Sequence, residues 1–163
     1  MPELELTILM PCLNEARTLP ACIAKARAFI GRSGVQAEIL VSDNGSTDGA
    51  PEEAVERYPG TRLLRTGGNL GYGTAVNRGV ATVPVNEEFV LVANPDVVWG
   101  PGSIDALMDG ARRWPQAGTV GPLIRDPDGA IYPSARHLPS LVRGGMHAVV
   151  GFAWKSNPWT KSY

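Results

Sequence analysis

An α/β domain with a largely parallel sheet is predicted by three observations in this 163-residue sequence. Short apolar runs alternate with segments of helical periodicity. One such run, Phe89 to Ala93, is continuous, reads as a strand buried on both faces, and stops abruptly at Asn94-Pro95-Asp96. Polar clusters also follow the first two expected strands, and a parallel sheet gathers such ends on the rim where open α/β folds place ligands.

Taken in order, Leu6 to Met10 form a short first strand that Pro11 ends. Thr18 followed by Leu19-Pro20 signals a helix start. Leu19, Ile23, Ala26 and Ile30 then keep helical spacing, and Gly31 supplies the stop. Glu38 to Val41 make a second strand that runs into the turn-rich segment Ser42 to Gly49. Pro51-Glu52-Glu53 opens a short helix whose first-turn acids complement its dipole. Arg62 to Arg65 form a third strand, followed by a glycine-rich segment, 67–73, and a helix through Ala75, Val76 and Val80. After the strand at 89–93, Pro101 starts a helix with Ile104, Leu107, Met108 and Ala111 on one face. Thr119 to Ile124 read as another strand, and Asp126-Pro127-Asp128-Gly129 as the turn before Ile131-Tyr132. Past Pro133 the periodicity dissolves. The expected organisation is one domain over residues 1–140 with an irregular tail, 141–163.

Composition narrows the class of protein. The chain is 44% hydrophobic and 19% charged, as a soluble globular domain is, and its net charge of −1 gives no reason to expect a nucleic-acid partner. Cys12 and Cys22 are the only cysteines, spaced for neither a zinc knuckle nor a redox pair, and are expected as buried free thiols of a cytoplasmic protein. No basic-then-apolar leader opens the chain, and no apolar run approaches the ~20 residues of a membrane span. His137 and His147 lack a matching acid and read as surface or loop residues.

Three groups could carry chemistry: Asn14 with Glu15, the segment from Asp43 to Asp48, and Asn94 with Asp96. Separated carboxylates on one rim suit a hydroxyl-rich ligand with a metal-bridged phosphate, since a divalent cation reverses their repulsion of a diphosphate. Each group has a plainer structural explanation. Asp48 could be a turn or cap residue, and Asn14 and Glu15 could simply start a helix. Asp43 and Asp96 are harder to explain this way, because nothing structural requires an acid at the end of a buried strand. The segment 67–73 matches neither a dinucleotide fingerprint nor a phosphate-binding loop and is expected as a turn into a helix. A dehydrogenase is disfavoured because Pro11-Cys12-Leu13-Asn14 stands where its glycine turn would be, and a nucleotidyltransferase because no basic glycine-rich loop is there.

The runs Ile8 to Glu15, Ser42 to Gly49, Asn69-Leu70-Gly71 with Ala75 and Asn77, and Asn94-Pro95-Asp96 together resemble family 2 glycosyltransferases over residues 6–140. Residues 58–163 are most similar to bacterial rhamnosyltransferases acting on polyprenyl-diphosphate-linked N-acetylglucosamine, through Gly71 to Arg78, Ala93 to Asp96, Gly121 to Gly129 and Tyr132 to Arg136. Residues 1–50 look more like the polyprenyl-phosphate branch, in the manner of dolichyl-phosphate mannose synthases.

The resemblance implies a GT-A fold, a C-terminally incomplete chain, and a nucleotide-diphospho-sugar donor (dTDP-rhamnose, or a UDP- or GDP-sugar). It implies inverting transfer to a polyprenyl-linked or glycan acceptor in cell-envelope synthesis, with Mg2+ or Mn2+. By position, Pro11, Asn14, Glu15, Asp43, Asn44, Gly71, Asn94 and Asp96 would bind the nucleotide sugar, with Asp43 on the base and Asp96 on the metal and diphosphate. Asn94 replaces the first acid of the family's usual acid pair, an amide oxygen being a neutral ligand. The catalytic base is expected beyond Tyr163, since Asp126 and Asp128 read better as turn residues and no acid follows them. The alternative is a non-catalytic nucleotide-sugar-binding fragment or subunit. Phe152, Trp154 and Trp159 among basic residues fit either peripheral contact with the inner face of the plasma membrane or packing on further chain.

Overall fold

The computed structural model describes residues 4–84, 86–134 and 154. The chain divides between Pro101 and Gly102 into two compact units. The expected boundary at residue 140, both histidines, Phe152 and Trp159 lie outside the described residues.

The first unit is a parallel sheet of β1 (Leu6–Cys12), β2 (Ala37–Asp43), β3 (Arg62–Arg65) and β4 (Phe89–Val92), in the order β3-β2-β1-β4. The helices α1 (Leu19–Ser33), α2 (Ala50–Arg57) and α3 (Tyr72–Val80) connect successive strands. Crossovers of this kind are right-handed. Two steps one way therefore put α1 and α2 on one face, and the return from β3 to β4 puts α3 on the other. The core is the sheet centre with α1 against it: Leu6, Ile8, Leu9, Met10, Ile23, Phe29, Leu40 and Val41 are all buried. Against α3 the fit is close enough that a Cβ on Gly79 would lie 2.5 Å from Leu9 Cδ1.

Several boundaries differ from expectation. Pro11 does not end β1, which continues to Cys12. Leu9 O accepts from Ala93 N on the β4 side and Cys12 O accepts from Asn44 N on the β2 side, so the alternation turns the Pro11 nitrogen toward β4. The β1–β4 ladder has already closed at Leu9 and Val92, so the missing N–H costs no bond. Helix α1 passes through Gly31 and stops at Gly34, whose left-handed φ of 73° is what the cap requires. Strand β2 runs two residues past Val41, because Ser42 and Asp43 pair with Leu64 and Arg65 of β3. Strand β4 is half-buried rather than buried on both faces, since it pairs only with β1 at the end of the strand order.

At the opposite end of the sheet from the polar rim, the buried Thr7 hydroxyl meets Glu38 at 3.0 Å and also Glu87. Arg62 ties Glu38 to β3 through a 2.6 Å ion pair.

In the second unit α4 (Ser103–Arg113) turns Met108 inward, with Gly102 as its left-handed N-cap. The strand expected over 119–124 reduces to β5 (Ile124–Arg125), paired antiparallel with β6 (Ile131–Tyr132). A hairpin needs a partner across its turn, and among the described residues only those four have one. Asp126 and Asp128 shape that turn: Gly129 N donates to Asp126 O at 2.8 Å and Ala130 N to Asp128 Oδ1 at 3.0 Å.

Candidate functional site

Where the strand order reverses, the carboxyl ends of β1 and β4 diverge, and crevices of this kind hold ligands in open α/β sheets. Pro11 to Glu15 leave β1 on one side of the crevice, and Ala93 to Asp96 leave β4 on the other. Asp43 and Asn44 leave β2 next to β1. The sequence-predicted site residues of the first unit thus share one rim.

At the end of β4, Ala93 and Pro95 are buried while Asp96 is exposed. The proline anchors the turn and directs the acid outward. Asn94 Nδ2 donates to Asp96 Oδ1 at 2.6 Å, a bond that does not engage Asn94 Oδ1 or Asp96 Oδ2. Asp96 is felt from both faces of the sheet. Its charge acts, after burial, to raise the pKa of the Cys22 thiol on α1 and of the Tyr72 phenol at the head of α3.

Asp43 is 3% exposed at the end of β2. Its Oδ1 accepts Ser46 N at 2.8 Å, while Oδ2 lies 3.7 Å from Arg65 Nη1. Arg65 also pairs with Glu52, and that hydrogen bond is the main reason the Glu52 carboxyl sits below its ordinary pKa. One Asp43 oxygen is therefore fixed by backbone and the other is ion-paired with Arg65.

Two of the three asparagines predicted to bind the nucleotide sugar, Asn14 and Asn44, hold neighbouring loops instead. Asn14, in the left-handed region at φ 57° that asparagine tolerates better than most residues, accepts Thr47 N on its Oδ1 at 2.8 Å. Its own N–H donates to Ser46 Oγ at 3.0 Å. Asp48 adds a third link, accepting Ala16 N at 3.0 Å while its other oxygen takes Ala50 N at the start of α2. These bonds clasp the loop after β1 to the loop after β2. Glu15 accepts the Thr18 hydroxyl on Oε2.

Asn44 is 4% exposed and turns away from the crevice. Its Nδ2 donates to Asn69 Oδ1 at 3.0 Å and its Oδ1 accepts Leu70 N at 2.9 Å. Gly71, at φ 86°, is the N-cap of α3 and donates its N–H to Asn69 Oδ1 at 3.2 Å. The glycine-rich segment is thus the turn into a helix expected from the sequence. Arg65, Thr66 and Tyr72 were given no role by sequence reasoning. For Tyr72 the available signal is a large aromatic between two glycines at a helix start.

Among the described residues no group of three or more His, Cys, Asp or Glu could hold a metal ion. At the end of β4 the rim offers a hard cation Asn94 Oδ1 and Asp96 Oδ2, the oxygens outside their mutual bond. That set fits an ion of the Mg2+ type, which keeps several waters and is completed by substrate phosphates.

Residues 7–154 match the model of the family described as Glycosyl transferase family 2. A curated N-acetylglucosaminyl-diphospho-decaprenol L-rhamnosyltransferase of Mycobacterium tuberculosis is 63% identical over 134 residues, covering 77% of this chain and 44% of the relative. The chain therefore spans less than half the length of that relative. A mannosyltransferase of Pyrobaculum calidifontis, solved with GDP-Man and Mn2+, superposes with a TM-score of 0.58 at 22% identity, over 76% of this chain and 36% of the other. Glucosyl-3-phosphoglycerate synthase of M. tuberculosis, solved with Mn2+, UDP and phosphoglyceric acid, gives 0.53 at 23% identity, over 66% and 38%. These likenesses show the fold, the GT-A arrangement of a parallel sheet flanked by helices.

Proposed function

The chain belongs to glycosyltransferase family 2, and on that premise we propose that it carries the donor-binding part of an inverting sugar transferase of cell-envelope synthesis. The donor is a nucleotide-diphospho-sugar, with dTDP-rhamnose the first candidate because the 63% identical relative is named a rhamnosyltransferase. UDP- and GDP-sugars are the other candidates. That relative's name also supports a polyprenyl-linked acceptor.

The observation that carries the reading is the exposed carboxylate of Asp96 at the reversal of strand order, with the Asn94 amide 2.6 Å away. Pro11, Glu15 and Gly71 line the nucleotide side. Asp43 accepts the base's N–H on Oδ2, the oxygen that also faces Arg65 Nη1 at 3.7 Å. Asn94 and Asp96 would hold Mg2+ or Mn2+, which supplies charge neutralisation to the diphosphate. A general base must take the acceptor hydroxyl's proton as the nucleoside diphosphate leaves. We place that base outside this rim.

No helix among the described residues is long and apolar enough to cross a membrane. Peripheral contact with the inner face of the plasma membrane belongs to the proposal, with the exposed Trp154 as a candidate.

Calorimetry of the chain with dTDP, UDP and GDP, each with Mg2+ or Mn2+, tests the reading. Binding of at least one in a metal-dependent manner is expected, and no binding of any would sink it. The alternative is a non-catalytic nucleotide-sugar-binding fragment or subunit. It is distinguished by whether turnover appears only when an acceptor-binding half is added.

A further inference from the structure

Asn44 is buried at the end of β2 with both polar atoms of its amide turned into the glycine-rich loop. Its backbone N–H is bonded to Cys12 O at 2.8 Å, so it joins the ends of β1 and β2 to that loop. Thr66 reinforces the join, donating its N–H to Asp43 O at 2.9 Å, and Arg78 Nη1 of α3 reaches Thr66 O at 2.5 Å. The loops touch as well: a Cβ on Gly45 would lie 2.8 Å from Gly68 C and 2.9 Å from Asn69 N. Few segments of the molecule are held from so many sides.

What this stitching holds in place is the first turn of α3. Ser42 Oγ donates to Ala75 O at 2.7 Å, fixing the helix one turn in, above the carboxyl end of β2. Tyr72 lies one turn earlier, beyond the strand ends, and is 55% exposed. Among the described residues no hydrogen bond from its hydroxyl is seen, and its flanking glycines carry no side chain to screen it. Helix α3 packs against β1 and β2, so Tyr72 at its start stands at the carboxyl ends of the strands, on the rim where Asp96 follows β4. Burial, and after it the charge of Asp96, raise the pKa of its phenol.

We propose that the Tyr72 hydroxyl hydrogen-bonds the diphosphate of the donor beside Asp96, and that Asn44 is the positioning residue that holds Tyr72 there through Asn69 and Gly71. The proposal rests on the nucleotide-sugar reading of the rim. A neutral phenol suits the task, since it donates to a phosphate oxygen without competing for the cation, and hydrogen bonds to charged groups are among the stronger ones.

The test is calorimetry with Mg2+ on the parent, Tyr72→Phe, Asn44→Ala, Asn44→Asp and the Tyr72→Phe/Asn44→Ala double variant. The titrants are whichever of dTDP, UDP or GDP the parent binds, and the corresponding monophosphate. Tyr72→Phe is expected to weaken the diphosphate about tenfold and the monophosphate hardly at all, with an unchanged thermal midpoint. Asn44→Ala is expected to weaken the diphosphate in the parent but to add little in the Tyr72→Phe background. Asn44→Asp, which keeps the acceptor for Leu70 N and loses the donor to Asn69, covers the case in which the alanine variant fails to fold. A parent that binds and a Tyr72→Phe variant that binds equally well overturn this proposal alone. So do equal losses for mono- and diphosphate, or additive losses in the double variant. A parent that binds no diphosphate overturns the underlying reading and this proposal with it.

Discussion

Asn94 and Asp96 are bonded to each other across Pro95, amide nitrogen to carboxylate at 2.6 Å, and this orients the one acid of the pair. The amide brings no charge, so the electrostatic hold on a divalent cation at the end of β4 falls to Asp96 alone. Asp96→Asn is therefore expected to abolish metal-dependent nucleotide binding. Asn94→Ala, which removes only an orienting bond and a neutral ligand, is expected to weaken it several-fold. Calorimetry with and without EDTA reads both. Parent-like binding in both variants would leave Asp96 as a turn residue and nothing more.

Gly45 and Gly49 both have positive φ, 91° and 76°, in the same loop, yet only Gly45 has backbone within van der Waals contact of its missing Cβ. Gly49→Ala bears only the left-handed strain, roughly 1 kcal/mol. Gly45→Ala bears that strain and must also push 68–69 away, a total of roughly 3 kcal/mol. Urea unfolding of the two variants measures the difference, and equal losses would mean that the two loops are not in contact.

Burial, the largest cause at both sites, raises the Cys12 and Cys22 thiols above their ordinary 9.0. An acid whose folded pKa lies above its unfolded one binds more protons when folded. Its stabilising contribution is therefore intact below the unfolded pKa and lost as pH rises through the folded one. Stability is expected to fall on the alkaline side of pH 9, and Cys22→Ala should flatten that fall. A native chain that reacts with a thiol reagent at pH 8 as fast as the urea-unfolded chain would contradict the burial on which this rests.

Much of the fold was legible because its signals are local. The bounds of β3 and the start of α2 follow from residue type alone, and the alternation of elements gave the parallel sheet. The misjudged boundaries share a cause. Pro11 reads as a stop only if its nitrogen is needed, and which side of β1 it faces depends on strand order. Ser42 and Asp43 look like turn residues until β3 is there to pair with them. Gly31 and Gly34 are equally plausible helix stops, and the choice depends on where the chain must turn.

The site was legible as a set of positions more than as a set of roles. The resemblance gathered Asn14, Asp43, Asn44 and Asp96, and the fold brings them to one rim. An asparagine side chain looks the same in sequence whether it faces a ligand or a neighbouring loop, however. The bonds from Asn14 to Thr47 and from Asn44 to Asn69 and Leu70 could be found only in three dimensions.

The orientation of the Pro11 nitrogen toward β4 has a further consequence. In the β1–β4 register, the two bonds that would follow Ala93 N to Leu9 O run from residue 11 N to residue 93 O, and from residue 95 N to residue 11 O. Both donors would be prolines, Pro11 and Pro95, and neither carries a hydrogen. The zipper between the two strands thus lacks two consecutive teeth by covalent constitution. No fluctuation, mutation elsewhere or tighter packing can supply them, so the ladder between β1 and β4 cannot extend past the Ala93 N to Leu9 O bond into the rim.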